Sequence, residues 1–382
     1  MSAQPDSTAP LRVSVDVTSL LHEATGVGVF TGALVAGLAE RSDIDLSVFA
    51  VSWRGRDRLA SAAPAGAAVR ARPVPARLAR AAWRRTDLPT ARMLGGRSDV
   101  VHGPNFVVPP GGGATEVVTV HDLTALRYPE MCTADVLEWP GLLRRALRRG
   151  AWVHAVSRFV ADEVREAFPE AADRVVAVPN GIRLPAPAGP TTDASAGHHL
   201  AGGLRYVLAL GTVDPRKDLT TLVAAFDSLA DEDPDLRLVI AGSDGMGAEA
   251  LAAAIAASPA RDRIVRLGRI TDAARLALLR GASVVAYPSR YEGFGLVPLE
   301  AMAVGTPVVA TAVGAVPEVV GDAALLVPEH DAPALAAALA QVLSDQALRE
   351  TLADEGLERA AGLPWSATID GLVALYRTAS GR

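Results

Sequence analysis

Short runs of apolar residues, many of them β-branched, recur along this 382-residue chain and are separated by longer stretches of mixed polarity. Short continuous apolar runs bounded by turn residues are typical of strands buried on both faces of a sheet. They fall into two series. The first lies at residues 11–17, 46–51, 100–102, 117–120, 152–156 and 175–178, and the second at residues 206–210, 236–241, 264–267, 283–287, 308–311 and 324–327.

Amphipathic stretches separate many of these runs. Apolar residues at every third or fourth position predict helices at residues 29–40, 135–149, 158–168, 219–230, 248–257 and 272–280, with a helical close at 333–377. Strands that alternate with helices pair in parallel, and helices cover both faces of their sheet. Ligands of such sheets bind beyond the carboxyl ends of the strands. The predicted fold class is therefore α/β, with two doubly wound parallel-sheet domains facing an interdomain cleft.

A change of composition divides the two series. Pro, Gly, Ala, Thr and Ser dominate residues 185–203, which predicts a flexible linker. The predicted domains are residues 1–184 and residues 204–364. Residues 365–382 are predicted to form a C-terminal helix. Packing of this helix back onto the N-terminal domain is an open alternative.

Composition excludes several classes of function. The net charge of −6 gives no general attraction to nucleic acid. The single cysteine, Cys132, forms no internal disulfide and no cysteine metal motif, and the seven histidines lack metal-ligand spacing. The polar start of the chain predicts no signal peptide, and no apolar run is long enough to span a membrane. We therefore expect a cytoplasmic protein that requires no metal or cofactor.

One lysine, Lys217, stands among 37 basic residues, and it follows a predicted strand in the string Gly211-Thr-Val-Asp-Pro-Arg216-Lys217. Gly211 permits a sharp turn, and the helix that follows offers free backbone amides. A solvated pair that merely capped this helix should be acidic, because the helix dipole disfavours cations there. The string therefore predicts a diphosphate site.

A second string, Glu292-Gly293-Phe294-Gly295-Leu296-Val-Pro-Leu-Glu300, also follows a predicted strand. Its two glycines allow a ligand to approach the backbone closely. A carboxylate can accept hydrogen bonds from the paired hydroxyls of a ribose or hexose, so Glu292 and Glu300 suit a sugar nucleotide. The alternative for Glu300 is a favourable acid at the start of a helix.

Three features of the N-terminal half are weaker signals. Gly26 and Gly28 follow the first strand, but the spacing of a dinucleotide-binding motif is not completed, which disfavours nicotinamide. His121 follows a strand and could donate a hydrogen bond to a sugar hydroxyl or an oxyanion. Residues 54–97 hold eleven arginines. They could meet an anionic acceptor or a membrane surface, or form a solvated helix face.

Together these strings resemble glycosyltransferase family 4, whose members have the two-domain GT-B fold. The resemblance covers nearly the whole chain, and its most specific part is the Glu292–Glu300 pair with the Arg216-Lys217 pair. It implies that residues 1–184 form the acceptor-side domain and residues 204–364 the nucleotide-sugar-binding domain.

The resemblance also implies site roles. Arg216, Lys217 and Gly211 would hold the donor diphosphate, and Glu300 the ribose. Glu292 and the backbone amides around Phe294 to Leu296 would engage the sugar and the phosphate. Gly26 and Gly28 would approach the phosphates from the N-terminal domain, and His121 would contact the transferred sugar. Within this assignment His121, Glu292, Arg216 and Lys217 are the catalytic candidates, and Gly293, Phe294, Gly295 and Leu296 complete the donor site.

The implied reaction is retaining hexosyl transfer by front-face substitution, with GDP-mannose as the favoured donor and a glycan, a glycolipid or a small molecule as acceptor. Peripheral contact with the inner face of a membrane is a further expectation. Two alternatives stay open: a nucleotide-sugar epimerase on the same fold, and a catalytically silent nucleotide-sugar-binding subunit. A phosphorylase is disfavoured because it needs a lysine for pyridoxal phosphate, and the single lysine is assigned to the phosphates.

Overall fold

A computed structural model describes residues 9–21, 26–53, 58–184 and 193–382. The chain divides into two compact units. The first unit comprises Met1–Gly181 together with Trp365–Arg382, and the second comprises Ile182–Pro364. Each unit is built around its own parallel sheet.

The sheet of the first unit has seven strands in the spatial order β3-β2-β1-β4-β5-β6-β7, and all of its strand pairs are parallel. The strands are β1 (Leu11–Asp16), β2 (Ile44–Phe49), β3 (Ala68–Arg70), β4 (Val100–Gly103), β5 (Thr115–Val120), β6 (Trp152–Ala155) and β7 (Val175–Ala177). The central strands are buried because valines and other apolar residues face both helical layers. Edge strand β3 is exposed throughout and lacked an apolar run, so the sequence did not predict it.

Helices cover this sheet. In chain order they are α1 (Gly26–Ala39), α2 (Leu59–Ala62), α3 (Ala76–Trp83), α4 (Ala91–Gly95), α5 (Thr124–Arg127), α6 (Trp139–Arg148) and α7 (Arg158–Ala167). The C-terminal helix, Trp365–Ser380, contributes Leu372 and Tyr376 to the same hydrophobic core as β1 and α1. The C-terminal helix is therefore part of the first unit.

The sheet of the second unit has six strands in the order β10-β9-β8-β11-β12-β13, again all parallel. The strands are β8 (Tyr206–Leu210), β9 (Arg237–Ala241), β10 (Ile264–Gly268), β11 (Val284–Tyr287), β12 (Val308–Thr311) and β13 (Leu325–Val327). The helices are α8 (Asp193–Leu200), α9 (Leu219–Glu232), α10 (Ala248–Ala257), α11 (Asp272–Gly281), α12 (Leu296–Met302), α13 (Val316–Val320), α14 (Ala332–Ser344) and α15 (Gln346–Ala361).

Both sheets are doubly wound, and in each the strand order reverses once. The reversal lies between β1 and β4 in the first unit and between β8 and β11 in the second. Ligands of open parallel sheets bind outside the carboxyl ends of the strands at such a reversal. The loops that follow β8 and β11 are the two glycine-bearing strings that the sequence singled out.

The predicted linker, residues 185–203, differs from the structure where it is described. Residues 185–192 lie outside the described part, but Asp193–Leu200 form α8, which packs against α11. His198 Nε2 donates to Gly281 O over 2.9 Å, and a Cβ on Gly197 would lie 2.2 Å from Ala277 O. Small residues that resemble a linker in composition here allow two helices to approach closely, so residues 193–203 are not a flexible linker.

A second difference concerns the loop predicted at Gly26 and Gly28. Both glycines lie within the first turn of α1, which begins at Gly26 and not at residue 29. Glycine has a low helix propensity, which is why the pattern placed the start later. Among the residues that the structure describes, none of the helices combines the length and apolar character needed to cross a membrane.

Candidate functional site

The loop after β8 carries the two cationic candidates. Gly211 directly follows the strand with φ 135°, a backbone angle that residues with a Cβ rarely adopt. Pro215–Lys217 then form a 3₁₀ turn, and Asp218 precedes α9 in the left-handed conformation. The turn buries Lys217 and leaves Arg216 partly exposed. A Cβ on Gly211 would lie 3.5 Å from Lys217 Cε, so the glycine lies directly beside the lysine stem.

The loop after β11 brings Glu292 against these cations. Glu292 Oε1 accepts hydrogen bonds from Lys217 Nζ at 2.5 Å and from Ser289 Oγ at 2.8 Å. Arg216 Nη1 lies 2.8 Å from the same oxygen. Three donors therefore converge on one carboxylate oxygen. We call Arg216, Lys217 and Glu292 the charged cluster; it carries one net positive charge.

Burial and charge shift the pKa values of this cluster in opposite directions. Burial lowers the pKa of Lys217 to about 8; Glu292 counteracts this, and Arg216 adds to it. Burial alone would raise the pKa of Glu292, but Arg216, Lys217 and the hydrogen bonds from Lys217 and Ser289 lower it to about 2. Glu292 is therefore ionised at neutral pH, and Lys217 is a cation that can lose its proton in mildly alkaline solution.

Residues that the sequence analysis did not single out hold the cluster in place. Tyr287 OH accepts a hydrogen bond from Lys217 Nζ at 2.9 Å, and its ring lies 4.4 Å below the same ammonium. Thr311 Oγ1 donates to Ser289 O, and Ala315 N donates to Glu292 O at 2.9 Å. Tyr287 and Ser289 lie at the carboxyl end of a predicted strand, and that position was the available signal for them.

Helix α12 carries the remaining candidates of the second string. Gly295 precedes the helix with φ 112°, Phe294 is buried beside it, and Leu296 is the first helical residue. Glu300 lies on α12 and does not bond to the charged cluster. Its Oε2 accepts from Arg275 Nε at 3.0 Å and from Arg275 Nη2. Burial raises the pKa of Glu300, and Arg275 opposes that shift. The sequence did not indicate Arg275, because this arginine belongs to no recognisable motif within α11.

His121 follows β5 in the first unit. Its Nε2 donates to Pro104 O at 2.8 Å, and burial lowers its pKa, so the ring is neutral. A neutral imidazole has one N–H, and here the carbonyl takes it; Nδ1 is therefore an acceptor. In this geometry the free ring nitrogen Nδ1 can accept a hydrogen bond from a sugar hydroxyl. Phe30 of α1 packs edge-on against the ring, with centroids 5.2 Å apart.

Next to His121 runs a buried hydrogen-bonded chain that the sequence did not indicate. His102 Nδ1 contacts Tyr376 OH at 2.6 Å, and His102 Nε2 contacts Thr119 Oγ1 at 2.7 Å. Thr119 Oγ1 lies 2.9 Å from His154 Nδ1, and His154 Nε2 lies 2.9 Å from Val178 O. We call Tyr376, His102, Thr119 and His154 the neutral chain.

Gly26 and Gly28 are placed by the structure in the first turn of α1, and Gly28 is buried. The structure thus brings together Gly211, Arg216, Lys217 and Glu292 in the second unit, whereas Glu300 is held separately by Arg275. Within the described ranges, no group of three His, Cys, Asp or Glu side chains is arranged to hold a metal ion.

Known proteins match both units. A model of the family described as Glycosyl transferases group 1 matches residues 191–359, and a model of Glycosyltransferase Family 4 matches residues 24–184. The chain is 32% identical over 287 residues to O-antigen chain mannosyltransferase B of Escherichia coli, covering 73% of this chain and 74% of that protein. It is 35% identical over 284 residues to D-inositol 3-phosphate glycosyltransferase of Kribbella flavida, covering 69% of this chain and 66% of that protein.

Solved structures match the fold. Sucrose-phosphate synthase from Thermosynechococcus elongatus aligns with a TM-score of 0.76 at 24% identity, covering 97% of this chain and 98% of that one. WaaG, a glycosyltransferase involved in lipopolysaccharide biosynthesis, aligns with a TM-score of 0.73 at 17% identity, covering 97% of this chain and 100% of that one. Family models in both units and a relative above 30% identity lead to one conclusion: the chain belongs to the family 4, group 1 glycosyltransferases, with two parallel α/β domains of the GT-B fold.

Proposed function

We propose that this glycosyltransferase moves a hexose from a nucleotide sugar to a hydroxyl of a glycan, glycolipid or small-molecule acceptor, with retention of anomeric configuration and without a metal ion. The observation that carries this proposal is the charged cluster. Two cations and one carboxylate are held at the carboxyl ends of β8 and β11, where the strand order reverses. The net positive charge of the cluster is available to bind a negatively charged diphosphate.

The chemistry follows from that charge. The bond between the sugar C1 and the donor phosphate oxygen breaks, and C1 forms a bond to the acceptor oxygen. The acceptor proton passes to the departing phosphate on the same face. Arg216 and Lys217 stabilise the negative charge that develops on the leaving phosphate. Glu292, with a pKa of about 2, is too weak a base to hold the acceptor proton at neutral pH. This supports the leaving phosphate as the proton acceptor.

We propose GDP-mannose as the preferred donor. The relative from Escherichia coli named O-antigen chain mannosyltransferase B supports a mannosyl donor. Another structural neighbour, HepE from Anabaena, is described in complex with UDP-glucose at 19% identity and a TM-score of 0.71. A UDP-sugar is therefore the second candidate donor. In the first unit, we propose that His121 accepts a hydrogen bond from a hydroxyl of the sugar and that amides at Gly26 and Gly28 contact phosphate.

The acceptor is proposed to be anionic or lipid-linked. Relatives named D-inositol 3-phosphate glycosyltransferase support a phosphorylated acceptor. The first unit also exposes Arg70, Arg77 and Arg85, and Leu78 between them is 67% exposed. Such a surface suits anionic groups, including those of the inner membrane face. Co-sedimentation with vesicles containing anionic lipid, compared with neutral vesicles, tests the peripheral membrane contact; equal recovery from both would contradict it.

The first test of function is a thermal shift against GDP, UDP, ADP and TDP, followed by donor turnover with the nucleotide that stabilises. We expect stabilisation by GDP in the wild type and none in Lys217→Ala. Stabilisation by UDP alone would replace the mannosyl donor and keep the transferase. No stabilisation by any nucleotide would overturn the phosphate site. Conversion of the donor sugar without an acceptor would identify an epimerase, and nucleotide binding without any turnover a silent subunit.

A further inference from the structure

The ion pair between Arg275 and Glu300 engages only one oxygen of the carboxylate, which is unusual for an arginine. A guanidinium commonly binds a carboxylate in a bidentate fashion, with one nitrogen on each oxygen. Here Nε, at 3.0 Å, and Nη2 both donate to Oε2 of Glu300. Among the residues that the structure describes, none donates to Oε1. The pair therefore fixes the carboxylate by one oxygen and leaves the other with its lone pairs available.

The pair is accessible to a ligand and rigidly supported. The side chains of Arg275 and Glu300 retain 31% and 19% of their exposure. Arg275 lies in the first turn of α11, where its backbone N donates to Thr271 O at 2.8 Å. Helix α8 packs along α11, and His198 bonds to the C-terminal end of α11. Because α11 is supported by its packing against α8, the guanidinium extends from a fixed helix and can orient Glu300.

We propose that Arg275 is a positioning residue of the donor site, which holds Glu300 by Oε2 so that Oε1 is presented to the ribose hydroxyls of the nucleotide. This inference rests on the proposed function, because that function makes Glu300 the ribose ligand. Arg275 does not touch the sugar or the phosphates in this role.

Charge gives the proposal a distinctive signature. Burial raises the pKa of Glu300, Arg275 opposes the increase, and Asp272 on the same helix adds to it. Without Arg275 the pKa of Glu300 rises further, and the carboxyl group becomes protonated closer to neutral pH. A protonated carboxyl accepts hydrogen bonds poorly. Loss of Arg275 should therefore weaken ribose binding most in mildly acidic solution, and binding should recover as the pH rises.

The experiment compares GDP with 2′,3′-dideoxy-GDP by calorimetry from pH 6 to pH 8.5, with UDP and its dideoxy analogue in parallel. We expect the wild type to prefer the ribonucleotide by at least about tenfold, the effect of one hydrogen bond to a charged group. Glu300→Gln should lose most of this preference at every pH. Arg275→Met should lose it at pH 6 and regain it towards pH 8.5.

Two further variants complete the design. Arg275→Lys keeps one positive charge and should retain part of the preference, and it replaces Arg275→Met if that variant does not fold. Arg266→Met removes an exposed arginine that pairs with Asp244 at 2.6 Å in the same unit. This control should keep the wild-type preference.

The possible outcomes distinguish the role of Arg275 from the proposed function of the protein. If Arg275→Met and Arg275→Lys keep the wild-type preference at every pH while Glu300→Gln loses it, Arg275 does not position Glu300, and the proposed function stands. If the wild type binds GDP and the dideoxy analogue equally, Glu300 is not the ribose ligand, and both the donor-site assignment and the role of Arg275 are overturned.

Discussion

The two units bury polar side chains in different ways. In the second unit, Arg216 and Lys217 share one oxygen of Glu292, and two of these ionised groups, Lys217 and Glu292, are buried. In the first unit, the neutral chain runs from Tyr376 to the carbonyl of Val178 through uncharged groups. Burial lowers the pKa of His154 to about 4 and that of His102 well below its ordinary value, which keeps both imidazoles neutral.

The neutral chain has one consistent direction. Val178 O can only accept, so His154 Nε2 carries the proton and its Nδ1 accepts from Thr119. The hydroxyl oxygen of Thr119 then accepts from His102 Nε2, and His102 Nδ1 accepts from Tyr376. Every donor in the chain meets one acceptor. No hydrogen-bond donor of the chain remains for a ligand. We therefore interpret the chain as structural: it joins the C-terminal helix to β4, β5 and β6.

The charged cluster is not balanced in this way. Removing ions from water costs several kcal/mol for each ion, and apolar residues of similar size would often stabilise a protein more. The cluster also retains a net positive charge. A buried group of ions with unbalanced charge indicates a site for a charged ligand. A buried chain in which every hydrogen-bond donor has an acceptor indicates a structural role.

The largest effect is expected from Lys217→Ala. Loss of a group that stabilises developing charge typically raises the barrier by about 2.7–4 kcal/mol, a rate reduction of about 10²–10³. Glu292 keeps Arg216 and Ser289 as partners, so the melting temperature should change little. Transfer kinetics measure the rate and thermal melts the stability, and Arg261→Ala, at an exposed position of the same unit, is the control. Wild-type turnover by Lys217→Ala would show that the cluster is structural.

The next effect concerns the stability of the first unit in acid. His154 has a folded pKa of about 4 against an ordinary value of 6.5. The unfolded chain therefore takes up the proton first, and stability that is present above pH 6.5 is lost as the pH falls towards 4. The loss is on the order of 3 kcal/mol for one fully buried group.

Denaturant unfolding of wild type and His154→Gln across this range measures the loss. The wild type should lose more stability than the variant, whose amide does not titrate. Asp16 acts in the opposite sense, since burial raises its pKa to about 6, but it contributes equally to both proteins. His199→Gln, at an exposed position, should behave like the wild type. Parallel curves for wild type and His154→Gln would mean that the neutral chain is not what acid disrupts.

A smaller effect is expected on the alkaline side of the reaction. Lys217 must be protonated to bind phosphate, and burial lowers its pKa to about 8. The value of kcat/KM should therefore fall as the pH rises through about 8, approaching tenfold for each further pH unit. A bound diphosphate favours the ammonium, so kcat should fall only at higher pH. If kcat/KM stays constant up to pH 9.5, Lys217 is not the titrating phosphate ligand.

The sequence predicted most of the fold because the strands of parallel sheets are continuous apolar runs. It missed β3, which is exposed at the sheet edge. It also assigned α8 to a linker, because a helix of small residues and histidines resembles a linker until its contact with α11 is known. Hydrophobic patterns report burial, and these two elements depend on contacts that such patterns do not encode.

For the candidate site, the sequence identified the side chains that follow strands but not the residues that hold them. Arg216, Lys217 and Glu292 meet because β8 and β11 are neighbours at the reversal, a strand order that the sequence pattern did not specify. Arg275 and the members of the neutral chain lie inside helices and strands, where a polar residue gives no motif signal. The direction of the His121 hydrogen bond could not be predicted either, since it depends on the carbonyl of Pro104.

The smallest predicted effect is that of Tyr376→Phe, which separates stability from activity. The variant removes the hydroxyl that donates to His102 Nδ1 and leaves that buried acceptor without a partner. One such loss costs about 1–3 kcal/mol. Denaturant unfolding should show this decrease, while Thr378→Ala, at an exposed position of the same helix, should show almost none. Because the neutral chain offers nothing to a ligand, kcat and KM should stay at wild-type values below the unfolding temperature. A fall in kcat without a loss of stability would place Tyr376 in the catalytic machinery and erase the distinction between the two buried arrangements.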